Sequence, residues 1–346
     1  MGRNNKRYSK GLHRQAYERL TSMQAFGESK KQAIADGTDK DKIFSPNTYK
    51  TYWKHTKYFL KWMQDEHPDI TTLEKAKKYA NEWLQLRTDQ VNEKGEHLSA
   101  WTIQTEAKAL GKLFGIEPGD EDYFEPPKRK RQDIKRSRGD KARDKHFSIT
   151  NNDELIKFCK GTGCRRNVLQ KLEGRDLWHS MNMRSMVTYL ELKADLTDQE
   201  MKDLKCLKDA LEAFPDQDYF IHHRKDKGGR DRFSPVVGEN KEQIIYRMQH
   251  TGKSEKVWQH VNSNADIHGY RGDYATYIYK QYARDIKDIP YDGINKGTGK
   301  KYQKDVYTCR KDESGRKLDR AAMLICSKAL GHNRVEVVAN NYIRGL

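Results

Sequence analysis

Cysteine is scarce: the five in 346 residues, Cys159, Cys164, Cys206, Cys309 and Cys326, form no Cys-x-x-Cys pair and are odd in number. That argues against a disulfide framework or a zinc ribbon and makes reduced thiols in a cytoplasmic protein the expectation. No stretch approaches the ~18 consecutive apolar residues of a membrane span. The start, Met1-Gly2-Arg3-Asn4-Asn5-Lys6-Arg7, lacks the apolar middle of a secretion signal. Membrane and secreted classes are therefore set aside. Acidic residues are outnumbered, 50 Asp+Glu against 67 Lys+Arg, for a formal net charge of +17. Such a surplus suits a polyphosphate partner, because each neutralised phosphate releases condensed counterions. Hydrophobic residues reach only 35%, yet the length allows about two domains with buried cores.

The first third reads as helices. Leu12, Ala16, Leu20 and Met23 share a face and close near Gly27, giving a basic segment over 1–44. Ser45-Pro46-Asn47 is a capping cluster, and Tyr49, Tyr52, Trp53, Thr56, Phe59, Leu60 and Met63 follow at helical spacing. The opposite face carries Lys50, Lys54, Lys57 and Lys61, candidate phosphate contacts. A second helix shows Leu73, Ala76, Ala80, Trp83 and Leu84; a third shows Trp101, Ile103, Ala107, Leu110 and Phe114. Residues 45–116 thus predict a compact all-helical domain. From 117 to 146 the apolar pattern lapses, and Pro126-Pro127 precedes Lys128-Arg129-Lys130-Arg131, which reads as an extended basic linker able to track a phosphate backbone.

Residues 147–346 are mixed. Helices are predicted at 152–160, 165–175, 198–213, 240–250, 268–284 and 318–330. Tyr219–His223 and Arg232–Val237 flank Asp226-Lys227-Gly228-Gly229, a hairpin signal. Four fragments carry chemistry. Thr162-Gly163-Cys164-Arg165 puts Arg165 at a helix start. Lys227 sits at the hairpin tip before Arg232-Phe233-Ser234-Pro235, with Lys225 as its rival. His268-Gly269-Tyr270-Arg271 sets imidazole and guanidinium side by side on one helical face. Leu330-Gly331-His332 comes last, with Tyr342 ten positions on.

In this order and spacing the four fragments resemble the tyrosine recombinases, the integrases of phages and mobile elements. The resemblance covers about 147–346, and the preceding helical domain looks like that family's core-binding domain. It implies an α+β, mainly helical fold: an all-helical DNA-binding domain and a mixed α/β catalytic domain forming a C-shaped clamp around DNA. It also implies site-specific strand exchange through a Holliday junction, by a homotetramer on double-stranded DNA, with an accessory directionality factor as a further partner.

The residue types suit that reaction. Displacement at a phosphodiester concentrates charge on the non-bridging oxygens, and two guanidiniums, Arg165 and Arg271, can meet it with forked hydrogen bonds. A tyrosine phenol, ordinarily with a pKa of about 10, is a poor nucleophile until deprotonated or aligned with a base. By resemblance His268 assists as base, Lys227 protonates the departing 5′ oxygen, His332 adds a donor to the phosphate, and Tyr342 holds the DNA as a 3′-phosphotyrosine. The ester energy is conserved in that bond, so neither ATP nor a metal cofactor is required. On one straight helix His332 and Tyr342 would lie about 15 Å apart. The chain must bend, and Gly331 and Asn340-Asn341 are the places for it.

Other chemistries fit less well. Gly293 to Lys300 fails the Gly-to-Gly spacing of a phosphate loop and reads as a flexible basic loop. His222-His223 lacks the intervening apolar residue of paired-histidine metal nucleases. The acidic residue common three places after the family's first arginine is Val168 here, so its partner must come from elsewhere or be absent. The segment 285–318 is long, and Tyr307–Arg310 with Arg316–Leu318 could form an added hairpin. A type IB topoisomerase-like relaxing enzyme and a DNA-binding relative without catalysis are the alternative readings.

Overall fold

Strong helical periodicity and good caps build the first part of the chain. The computed structural model describes residues 11–130, 146–226, 229–310, 313–332 and 334–343. Contacts divide the chain into two compact units, Met1–Ile134 and Lys135–Leu346. In the first, α1 (Leu12–Ser22), α2 (Lys30–Ala35), α3 (Pro46–Glu66), α4 (Leu73–Lys77), α5 (Ala80–Asp89) and α6 (Ala100–Phe114) follow one another. Ser45 Oγ accepts the Thr48 N–H at 3.1 Å, and Pro46 fills the first turn of α3, where no intrahelical donor is needed. Ser99 caps α6 in the same way, and Gly115 ends it in the left-handed conformation, φ 68°.

Phe59, Leu60 and Met63 of α3 are buried against Leu20, Trp83, Leu84, Leu110 and Leu113. Phe59 meets Trp83 and Phe114 edge-on at centroid distances of 5.6 and 5.8 Å. Each such side chain contributes about 1.5–3 kcal/mol by leaving water. The second helix expected from Leu73 to Leu84 is two, separated by a turn at Lys78 and Tyr79, where the Tyr79 ring stacks on His67 at 4.0 Å. Beyond α6, Phe124 packs on this core and Arg129 lies over the Trp101 ring at 5.3 Å.

The second unit is mixed α+β, mainly helical, with small antiparallel sheets. Its elements are α7 (Asp153–Thr162), α8 (Arg166–Leu169), β1 (Leu177–His179), α9 (Ser180–Leu192), α10 (Asp198–Ala213), β2 (Tyr219–Asp226), β3 (Arg230–Pro235), α11 (Lys241–Gln249) and α12 (Ile267–Tyr282). After them come β4 (Gly293–Ile294), β5 (Lys301–Tyr302), β6 (Val306–Thr308), β7 (Lys317–Asp319), α13 (Arg320–Leu330) and α14 (Val335–Asn341). The expected hairpin is the β2–β3 pair, and β1 joins its other edge to make a three-stranded antiparallel sheet. Helix α12 packs on both α7 and α13. It supplies Tyr274, Ala275 and Ile278 to one buried cluster and Ile267 to another, which leaves Arg271 near the seam.

Three expectations need correction. The helix over 165–175 stops at Leu169, because the following backbone bonds elsewhere: Leu172 O accepts Val257 N–H at 2.9 Å, and Gly174 N–H donates to Glu255 O at 3.2 Å. A Cβ on Gly174 would collide with the Thr251 carbonyl, so the close approach needs glycine there. Between residues 177 and 218, where only the helix over 198–213 is expected, β1 and α9 precede that helix, which runs over Asp198–Ala213. Residues 293–302 form the β4–β5 ribbon rather than a flexible loop, and the added hairpin near 306–319 is β6 with β7. Among the described residues, no helix is long and apolar enough to cross a membrane.

Candidate active site

Arg165 is the N-cap of α8, with extended backbone (φ −83°, ψ 158°), so its side chain leaves at the helix start. The guanidinium pairs with the buried carboxylate of Asp226, and a second nitrogen donates to Leu330 O at 3.4 Å. His268 stands exposed in the first turn of α12, whose N-cap Asp266 accepts the Gly269 N–H at 2.9 Å. Arg271, nearly one turn on, is only 1% exposed. It donates to the carbonyls of Gly163 and Leu330 and, through Nε at 3.4 Å, to the Tyr342 hydroxyl. Burial, then the neighbouring Arg232 charge, lowers its pKa to about 10, which leaves it protonated at neutral pH.

The bend demanded by the His332–Tyr342 interval falls at Gly331. This residue takes φ 65° and ψ 38°, where a residue with a Cβ is strained, and that Cβ would also collide with the Arg232 side chain. His332 N–H returns to Ser327 O at 2.8 Å, and Ser327 Oγ donates to His332 O at 2.6 Å, which fixes the turn. Helix α14 then packs Val338 and Ala339 inward and ends at Asn341, leaving Tyr342 outside it with φ −126°. The outcome is a Tyr342 hydroxyl 3.2 Å from His332 Nε2. The phenol ring is 5.1 Å from the His268 ring and 5.4 Å from the Arg271 guanidinium carbon. Five of the six expected catalytic side chains, Arg165, His268, Arg271, His332 and Tyr342, therefore cluster. Lys227, the sixth, lies outside the described residues. Its rival Lys225 has an unusual φ of 43° for a side chain with a Cβ and is exposed.

Sequence reasoning missed a buried layer beneath this cluster. Asp226 receives both Arg165 and, at 3.1 Å, Arg232 Nε. It points inward because the β2–β3 register slips: His223 faces Arg232 but Asp226 faces Arg230, one extra residue on β2. Without that bulge Asp226 would share the strand face opposite His223. Arg232 also donates to Ala329 O at 2.5 Å and to His223 Nδ1 at 2.8 Å. Burial, and next the Arg232 charge, holds the His223 pKa well below the usual histidine value. Its Nδ1 accepts, so the single ring proton is on Nε2, which donates to Ser234 Oγ at 2.6 Å; Ser234 in turn donates to Thr162 O at 3.0 Å. The signal for Asp226 was Val168, buried at 1% exposure in the apolar core, which left the first arginine requiring a carboxylate from another segment.

Three guanidiniums thus surround one carboxylate and the last carbonyls of α13, the negative end of its dipole. Among the described residues Arg232 has three of its five N–H groups engaged, Arg271 three and Arg165 two, which leaves Arg165 and Arg271 with N–H groups that no protein acceptor takes up. Cys164 is buried beside them, and that burial raises its thiol to about 11, which makes it an inert filler. Among the described residues, no group of three or more His, Cys, Asp or Glu could hold a metal ion.

In the helical unit Lys50, Lys54, Lys57 and Lys61 are all exposed along α3, with Lys61 bridged to Asp65 at 2.8 Å. Lys128, Arg129 and Lys130 are exposed after α6, and Arg131 lies outside the described residues. No protein-family model matches this chain, and no curated protein does.

Proposed function

We propose that the chain is a DNA strand transferase of the tyrosine recombinase type, acting on specific duplex sites as a tetramer, with its helical unit as the DNA-binding half of a clamp. The observation that carries this reading is the Tyr342 hydroxyl within reach of both Arg271 Nε and His332 Nε2, beside an Arg165 that shares the Leu330 carbonyl with Arg271. A phosphodiester seated on the open N–H groups of Arg165 and Arg271 would have its non-bridging oxygens neutralised where charge grows. The Tyr342 oxygen forms a bond to phosphorus as the bond to the 5′ oxygen breaks. The phenol's proton passes to an imidazole, and the 5′ oxygen takes one from Lys227. His268, the base by resemblance, lies against the phenol ring, while His332 is the imidazole on its oxygen, so the adduct rates of His268→Gln and His332→Gln assign that step. A 5′ hydroxyl from another strand reverses the sequence and completes exchange. The phosphate bond energy stays in the protein ester, so no nucleotide cofactor enters.

A nicked suicide duplex tests this directly: a covalent adduct is expected from the chain and none from Tyr342→Phe. An adduct that persists in the variant moves the nucleophile elsewhere and ends the reading. Cleavage is expected to survive EDTA, and two marked duplexes distinguish exchange from simple relaxation by whether a joint product forms.

A further inference from the structure

The β4–β5 ribbon is absent from the site above and has a charge pattern of its own. Residues 293–304 contain Lys296, Lys300, Lys301 and Lys304 and no acidic residue. All four lysines are exposed, and none has a carboxylate partner among the described residues. Several lysines elsewhere in the same unit are bridged, among them Lys157 to Asp153, Lys193 to Glu200 and Lys205 to Asp209. Four like charges left close together repel one another, a cost that a polyanion would remove.

The ribbon is also built to hold its shape. Asn295 Oδ1 accepts the N–H groups of Gly297 and Thr298 at 2.9 and 3.1 Å, and Gly299 N–H donates to Asn295 O at 2.8 Å. At its base Gln303 Nε2 donates to the carbonyls of Ile286 and Ile289 at 2.6 and 2.8 Å. Tyr302 lies over Gly293, where a Cβ would stand 2.8 Å from the ring. Ile294, 64% exposed, is paired with Lys301 across the ribbon. A preorganised two-stranded ribbon with apolar and cationic side chains is of a size that a DNA major groove, about 12 Å wide, admits.

We propose that this ribbon is a duplex DNA contact that enters the major groove and sets its lysines against the flanking phosphates. The identity of the polyanion rests on the strand-transferase reading. The test compares the full chain with a Lys296→Gln, Lys300→Gln, Lys301→Gln variant in equilibrium binding to duplex DNA across a salt series. Each lost phosphate contact lowers the log–log salt slope by about 0.9, so a fall of up to ~2.7 is expected. Protection of guanine N7 from dimethyl sulfate is expected to disappear over a few base pairs. A control variant, Lys157→Gln, Lys193→Gln, Lys205→Gln, changes net charge equally and is expected to keep both the slope and the protection. An equal fall in both variants makes the effect one of net charge and overturns the ribbon contact, as does an unchanged slope or unchanged N7 protection in the ribbon variant. Should the wild-type chain bind no duplex, the strand-transferase reading falls too; a normal Tyr342 adduct with an indifferent ribbon variant sinks the ribbon alone.

Discussion

Glu106 in the helical unit and Asp226 in the mixed unit are both buried carboxylates facing guanidinium, but their surroundings are balanced differently. Glu106, with no side-chain exposure, receives a two-pronged Arg87 at 2.9 and 3.1 Å and His55 Nδ1 at 3.2 Å. Burial would raise its pKa, yet the hydrogen bonds from His55 and Arg87 outweigh that and lower it. One cation answers one anion, with a neutral-capable ring beside them, and the cluster is closed. Asp226 receives two guanidiniums, Arg165 and Arg232, while a third, Arg271, joins Arg165 on the Leu330 carbonyl, so that helix carbonyls supply the remaining acceptors. Closed clusters hold a fold; a cluster with surplus positive charge and open donors holds a fold and also attracts an anion. That contrast is the physical reason the strand-transferase proposal seats its phosphate in the mixed unit.

The comparison breaks most visibly at Arg271. Arg271→Lys keeps the charge but loses the fork, and single-turnover adduct formation is expected to fall about 10²- to 10³-fold. A rate within threefold of wild type would mean that the surplus charge is structural. Glu106→Gln is the mirror experiment: the helical unit should lose about 2–3 kcal/mol in urea unfolding, because Arg87 is left partly buried without its anion. Adduct formation at saturating DNA should be unchanged, and a slowed rate there would blur the division. Gly331→Ala comes next, with a cost of about 1–2 kcal/mol from the left-handed backbone alone, plus contact with Arg232. Thermal unfolding reads the loss, and an unchanged midpoint would show that the turn at His332 relaxes freely.

The smallest effect is in pH. His223 has a folded pKa below its unfolded value of 6.5, so as pH falls through 6.5 the unfolded chain takes up a proton that the folded chain refuses. The mixed unit therefore loses stability from about pH 6.5 downward, at up to ~1.4 kcal/mol per pH unit. Glu106 has a folded pKa below its unfolded 4.5, so its contribution is present above that pH and is lost below it. Unfolding followed separately in the two units should show the mixed unit weakening first, and His223→Gln should remove the early part of that slope. Coincident pH profiles would refute a His223 held neutral by its burial.

Much was legible before any coordinates. The periodic faces of α3 and α6 named buried residues such as Phe59, Met63, Ile103 and Leu110, because helical spacing reports contacts within about four positions. The ten-residue interval from His332 to Tyr342 already required a bend. Backbone competition was not legible: nothing local in 170–175 shows that its N–H and C=O groups pair with 253–257. Nor was the ribbon at 293–302 legible, since its strands are two residues each, too short for an alternating pattern.

By itself, then, the sequence determined which chemical groups exist and in what order, the unpaired thiols, the positive balance and the helices with one apolar face. Tertiary structure alone decided that Asp226 answers Arg165, that Arg232 and a neutral His223 support it from below, and that Leu330 O is shared by two arginines. The bonds of Arg165 and Arg271 to Asp226 and Leu330 join residues 59 to 165 positions apart, and the layer hinges on one extra residue in a strand. Register and a one-residue bulge are set by the packing of the whole unit, and no window of sequence contains them.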